Sequence, residues 1–322
     1  MTRTRSLASG LLSFSAAAVL ALTTAGGASA APAPSAPSSD EALLPSVARL
    51  AVNAAGAADY WTADRMEGAI PGDVLAGKAL ATSPRSTPAT VEKGKNTKVG
   101  ASKAKAAKTG SVSHIGKVFF TMGGANYVCS GNAVTSRNRS TVSTAGHCVF
   151  GGPGQEATNF VFVPAYENGA APYGKWTARD LYTTSEWTAS GDISYDTAFA
   201  VMNRLDGDLL TDVVGGSGVA FNQDRGLDYT SYGYPADKQY NGETLKSCAG
   251  TATDDTINPD FTTQGIPCDM TSGSSGGPWF IGSGPDGLQN SINSYGYSGS
   301  KVMYGPYWGD SIEKTYRVAA RS

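Results

Sequence analysis

From about residue 115 onward the sequence predicts an all-β fold, on three observations. Apolar and β-branched runs are short there, Gly, Asn, Asp and Pro separate them at close intervals, and strands do not alternate with helical stretches. Many short strands punctuated by turn residues are the pattern of a sandwich or a barrel.

Residues 116–121 (GKVFFT) read as a first strand and 127–134 (YVCSGNAV) as a second. Residues 140–144 (STVST) lead into Ala145-Gly146-His147. Later candidates are 160–163, 197–201, 219–221, 229–232, 277–281 and 291–297, and a short C-terminal helix is expected at 311–318.

The first 110 residues differ in kind. Arg3 and Arg5, the apolar stretch 7–22 and Ala28-Ser29-Ala30 match a secretory leader with its cleavage site, so 1–30 is expected to be removed. No other apolar run approaches the roughly 20 residues that cross a bilayer, so no membrane association is expected after cleavage. Residues 31–40 are mostly Ala, Pro and Ser, a composition too poor in apolar side chains to order itself. A weakly amphipathic patch over 40–80, with Leu43, Leu44, Val47, Leu50 and Val52, predicts one or two short helices, and 81–112 reads as a linker.

The formal net charge of -2 conceals an asymmetry: residues 1–110 hold 12 Lys and Arg against 7 Asp and Glu, whereas 111–322 hold 13 against 20. Much of the excess base is Lys93, Lys95, Lys98, Lys103, Lys105 and Lys108, in a stretch without aromatics. A solvated linker accounts for them, and the acidic remainder argues against nucleic-acid binding. Four cysteines in an exported chain imply two disulfides with three possible pairings.

Chemistry concentrates in three blocks. Residues 268–278 (CDMTSGSSGGP) set a serine among glycines, which lets backbone N–H donors surround a developing oxyanion. Thr144-Ala145-Gly146-His147-Cys148 supplies a base, and Asp196 stands at the mouth of an apolar run, where a carboxylate must be paired. Chain order excludes one alternative, and the short-strand pattern weakens another. Gly273-Ser274-Ser275-Gly276-Gly277 satisfies the nucleophile-elbow pattern, but that fold needs a histidine after the serine, and both histidines here, His114 and His147, precede it. An Asp-His-Ser order would need parallel strands alternating with helices. Two histidines and four cysteines show no zinc-ligand spacing, so no metal or organic cofactor is expected.

The blocks TAGHC, YDTAFAV and GSSGGP, in the order His, Asp, Ser, resemble the secreted bacterial trypsin-like serine proteases of the chymotrypsin superfamily, near their glutamyl-endopeptidase branch. The resemblance covers about the last two-thirds of the chain. It implies two six-stranded antiparallel β-barrels with the site in the cleft between them, a chymotrypsin-like protease domain over 111–322, and a propeptide over 31–110. It assigns His147 as base, Asp196 as orienting acid in preference to Asp192, and Ser275 as nucleophile in preference to Ser274, because Gly-Gly-Pro follows Ser275 directly. Backbone N–H groups of Gly273 and Ser275 would form the oxyanion hole, and His114 would be structural.

The same resemblance pairs Cys129 with Cys148 and Cys248 with Cys268, the second bridge departing from the commonest pattern. It places Ser294 near the catalytic aspartate and lets Tyr295 and Gly296 pair with an extended substrate, Tyr295 standing where the family has tryptophan. Counting back six residues from Ser275 reaches Asp269, which would favour Arg or Lys in the substrate, and the lysines before His114 would then offer self-processing sites. Ser274 stands where trypsin-like zymogens carry the aspartate that binds a freed N-terminus, so activation by that ion pair is not expected. The expectation is a secreted, monomeric serine endopeptidase acting on peptide or protein; the rival is an inactive homologue that binds peptide in the same cleft. The acidic pairs Asp254-Asp255 and Asp206, Asp208 read as solvated turns rather than cation sites.

Overall fold

The computed structural model describes residues 47–84, 94–103, 112–270 and 272–322. The leader, its cleavage site and part of the lysine cluster lie outside the described residues.

A hairpin begins the first barrel. Ile115–Met122 pairs with Ala125–Val134 from Ile115 opposite Asn132 to Met122 opposite Ala125. The two-residue turn between them is Gly123-Gly124, both at positive φ (56° and 82°), the backbone that a tight hairpin with right-twisted strands demands. Pairing continues through Thr141–Thr144, Ala198–Met202, Trp176–Thr184 and Thr158–Pro164, and the last returns to Ile115–Met122. Six antiparallel strands therefore close on themselves.

The strand period of two divides the hairpin's side chains between two cores. Val118, Phe120 and Met122 point into the barrel with Phe160, Phe162 and Phe199. Ile115 and Phe119 point outward, yet are equally buried, because Ala57, Trp61, Met66 and Ala69 cover them. Trp61 is 1% exposed, lies 5.3 Å from the Phe119 ring, and donates its indole N–H to the Asn159 carbonyl at 2.6 Å. A strand apolar on both faces is thus explained by a cover from the N-terminal segment.

In the second half the sheet order is Lys246–Thr251, Asp228–Gly233, Pro278–Ile281, Leu288–Ile292, Gly218–Phe221, Thr97–Val99. A smaller sheet joins Thr253–Asp254, Gln264–Pro267 and Val302–Gly305. The Cys248–Cys268 disulfide links the two sheets, and Tyr295, beyond the end of Leu288–Ile292, bridges to Tyr304 of the smaller one. One pairing, Gly218–Phe221 with Leu288–Ile292, is parallel. The expected chymotrypsin-like β architecture is present, with the second half less regular than the first.

The C-terminal helix spans Asp310–Ala319 and buries Ile312, Thr315, Tyr316 and Ala319. Asp310 and Glu313 in its first turn and Arg317 in its last complement the helix dipole.

The segment before the barrels is more ordered than its sequence suggested. It forms three helices, Ala57–Tyr60, Ala63–Glu67 and Asp73–Thr82, and contributes strands to both halves. Val47–Ala51 pairs with Trp176–Thr184, Ile70–Pro71 with Ala125–Val134, and Thr97–Val99 with Gly218–Phe221. Thr97–Val99 falls where a linker was expected, because joining a sheet edge uses backbone groups and needs no apolar pattern.

Trp61→Ala should lower the unfolding free energy of the full chain by about 3 to 5 kcal/mol. The check is a lower urea midpoint at unchanged slope.

Candidate active site

His147 sits on the single turn Gly146–Cys148, directly after the strand Thr141–Thr144, and the Cys129–Cys148 disulfide fixes that turn to the first hairpin. A Cβ at Gly146 would lie 2.9 Å from an Asp196 carboxylate oxygen and 3.0 Å from the Trp187 ring. Only glycine allows this approach.

Asp196 follows the turn Ile193–Tyr195 and is fully buried. Its Oδ1 accepts the His147 backbone N–H at 2.8 Å, and its Oδ2 meets His147 Nδ1 at 2.8 Å and the Ser294 hydroxyl at 2.5 Å. A carboxylate at Nδ1 places the proton on that nitrogen, so the neutral ring presents Nε2 as an acceptor. Asp192 instead caps the turn, its Oδ1 accepting from Ser194 N at 3.0 Å.

Ser275 lies in a loop whose glycines are sterically required. Gly273 and Gly276 have φ of 98° and 80°, and a Cβ at Gly276 would lie 2.3 Å from Thr144 Oγ1 and 2.4 Å from the Ser130 carbonyl. The loop is pinned to the first hairpin: Ser130 N donates to the Ser275 carbonyl at 2.7 Å, and Ser130 Oγ to the Gly273 carbonyl at 2.9 Å. The loop thus brings the nucleophile candidate to the same hairpin whose disulfide fixes His147.

Sequence reading did not find the group that occupies the site. Asp73, the first residue of the helix Asp73–Thr82, accepts the Ser275 hydroxyl on Oδ1 at 3.0 Å and the Gly273 N–H on Oδ2 at 2.5 Å. Beneath this helix His147 is 0% and Ser275 1% exposed. His147 Nε2 has no hydrogen-bond partner among the described residues, and neither has Ser274 Oγ.

Burial pushes the His147 imidazole down, but the charge and hydrogen bond of Asp196, with the charge of Asp73, outweigh it and raise the pKa above 6.5. An imidazolium paired with a buried carboxylate supports the upward direction.

Two clefts lie beside the helix, and one of them holds Asp269, Tyr295 and Gly296. One of about 250 Å³ runs between Leu75, Ala79 and Thr82 on the helix and His147, Phe150 and Trp187. Another, of about 370 Å³, includes Asp269, Tyr295 and Gly296 together with Lys238 and Lys301. Asp269 is exposed rather than buried at a pocket base, and accepts from the Tyr240 hydroxyl at 3.0 Å.

Tyr295 is buried and stacks on Tyr304 with centroids 5.1 Å apart. Its hydroxyl donates to Asp255 Oδ2 at 2.7 Å, and the Tyr297 hydroxyl does so at 2.6 Å. The backbone N–H groups of Ile257 and Asn258 bind Asp255 Oδ1, so this buried acid is satisfied without a cation. Neighbouring Asp254 pairs with Arg225. His114 is hydrogen-bonded to Asn132 at 2.7 Å.

Both expected disulfides form, Cys129–Cys148 and Cys248–Cys268. Ligand atoms of Cys129, His147 and Cys148 lie within 4.8 Å of one another, but sulfurs joined in a disulfide are not the thiolates a metal requires.

A closed antiparallel barrel followed by a second β half, with a buried His–Asp pair, fits a chymotrypsin-like arrangement. The protease Anisep from Arthrobacter nicotinovorans is 63% identical, with 71% of this chain and all of that one covered at a TM-score of 0.65. A thermostable serine protease, AL20, from an extremophilic microorganism is 50% identical over 66% of this chain and 98% of its own, at 0.64. A Glu endopeptidase, 19% identical with a TM-score of 0.52, shares the fold. An extracellular metalloprotease of Bacillus subtilis (strain 168) is 31% identical over 117 residues, and the chain matches about a third of its length, 35%. No protein-family profile matches. The chain belongs to the bacterial serine proteases of the chymotrypsin-like superfamily.

A raised His147 pKa has a defined consequence for pH. The stabilisation by its partners is fully present below about 6.5, the value in an unfolded chain, and is lost as pH rises through the folded value. In the full chain carrying Ser275→Ala, imidazole NMR should place His147 above 6.5, and adding Asp73→Asn should lower it.

Proposed function

We propose that residues 111–322 form a secreted serine endopeptidase, preceded by a leader over 1–30 and a propeptide over 31–110. The observation that carries the reading is the buried Asp196 carboxylate gripping His147 Nδ1 while Ser275 stands beside the Gly273 N–H. Two disulfides in the fold support export to an oxidising compartment. The extracellular relative supports it as well.

In the mechanism, Ser275 Oγ attacks the scissile carbonyl carbon as His147 Nε2 takes its proton. The carbonyl oxygen becomes an oxyanion held by the N–H groups of Gly273 and Ser275. The C–N bond breaks, the amine leaves with the proton from Nε2, and an acyl-enzyme remains. Water, deprotonated by the same nitrogen, attacks the ester; a second oxyanion collapses, and Ser275 recovers its proton. Asp196 holds the ring's tautomer and stabilises the imidazolium, and Ser294 holds Asp196.

Substrate would lie extended along Gly296, since the Tyr295 N–H and carbonyl are paired with Tyr304. A preference for Arg or Lys rests on Asp269, whose carboxylate lines that cleft while shared with Tyr240. Lys238 and Lys301 line it too and favour an acidic side chain, as a second reading.

The mature secreted protein should react with a fluorophosphonate at Ser275, with label lost in His147→Ala. A folded mature protein that takes no label would leave the peptide-binding homologue as the reading. On peptide substrates differing only before the scissile bond, Asp269→Asn should lower kcat/KM for Arg and Lys about tenfold and leave neutral residues unchanged. If Glu is instead the preferred residue, the two lysines set specificity.

A further inference from the structure

The helix Asp73–Thr82 does more than cover the site. Its carboxylate spans the two positions that the proposed chemistry uses: Oδ2 takes the Gly273 N–H, where an oxyanion would sit, and Oδ1 takes the nucleophile's own proton. Each hydrogen bond is charge-assisted, the stronger kind. With its hydroxyl donated to Asp73, Ser275 cannot donate to His147 Nε2, and that nitrogen is unpartnered. One side chain therefore separates nucleophile from base.

A carboxylate suits this place because it binds like a product and is not consumed. It is already anionic, so attack by the serine oxygen would add charge to charge, and it carries no amine to expel. The backbone nearby offers no better target. It enters along the first hairpin, with Gly72 N donating to the Val128 carbonyl at 2.8 Å, and at Asp73 turns into a helix whose peptide groups bond to each other. A protease cleft that pairs with extended chain does not engage a helical one.

Sterics fix where the carboxylate arrives. A Cβ at Gly72 would lie 2.5 Å from Cys129 Sγ, in the disulfide that also positions His147. Glycine thus allows the chain to reach the catalytic bridge one residue before Asp73. Trp61, buried in the outer core, and Val47–Ala51, paired with the barrel, anchor the segment upstream. Ala76, 1% exposed, closes the helix onto the site.

We propose that the segment 47–82 is an inhibitor built into this chain, and that the Asp73 carboxylate is its inhibitory group, occupying the oxyanion hole and sequestering Ser275. The inference rests on the serine-protease reading above. It accounts for an activation that needs no aspartate before the nucleophile, since removing the segment frees Ser275 and the Gly273 N–H together.

The test compares fluorophosphonate labelling rates of the intact full-length chain, verified by mass, as wild type, Asp73→Asn and Asp73→Glu, beside mature protein collected from culture supernatant. Asp73→Asn keeps the size and helix start but removes the charge. The expected result is fast labelling of the mature protein, slow labelling of the wild-type full chain, and a rate at least tenfold higher for Asp73→Asn, with Asp73→Glu between them. Circular dichroism and the thermal midpoint verify that each variant is folded. If mature protein labels fast while folded Asp73→Asn stays as slow as wild type, Asp73 is not the inhibitory group, although the protease reading stands. If the mature protein itself takes no label, the protease reading fails first.

Discussion

A negative charge with no access to water constrains this molecule more than any other feature. Asp196 is fully buried, and an uncompensated buried carboxylate costs several kcal/mol. Three donors offset that cost, and they come from far apart: the backbone and ring of His147, 49 residues earlier, and the hydroxyl of Ser294, 98 residues later. The first belongs to the closed barrel and the last to the second half. Satisfying one charge therefore requires both halves to dock in one register.

The disulfide beside His147 reinforces the same geometry. Cys129 lies in the hairpin strand that pins the Ser275 loop through Ser130, and Cys148 ends the turn that carries His147. Nucleophile loop and base are thus both tied to Ala125–Val134. This rigidity is what the proposed catalysis needs, since misplacement of reacting groups by about 1 Å can cost on the order of a hundredfold. The close approach of Gly72 to Cys129 shows the N-terminal segment fitted to the same strand.

That segment behaves as part of the fold. It supplies strands to sheets in both halves and the outer cover of Ile115 and Phe119, and its longest helix overlies the site. A chain that loses it must expose those faces to water. Release should accordingly change stability as well as access to Ser275, which couples folding to the proposed activation.

Local pattern determined much of this protein. Short apolar runs between turn residues located the hairpin, the strand into His147 and the strand after Asp196, because alternation and breakers are properties of adjacent residues. His147 and Ser275 were legible as candidates too, since Gly146 and Gly276, which must make room for neighbouring groups, stand next to them. Trp176–Thr184 was missed although it lies within the barrel: Arg179 and Asp180 break its apolar pattern, and buried Asp180 is paired with Arg179 and with Arg49, which reaches it from the N-terminal segment. Thr97–Val99 joins a sheet through its backbone, which leaves no mark on side-chain composition. Asp269 was placed near the cleft by counting, but its exposure depends on the course of the loop. Above all, nothing around Gly72-Asp73 announces that its carboxylate meets a serine 202 residues away. Sequence determined the local elements and the chemistry of the groups; tertiary structure alone decided which carboxylate reached which donor, because such pairings depend on docking between distant segments.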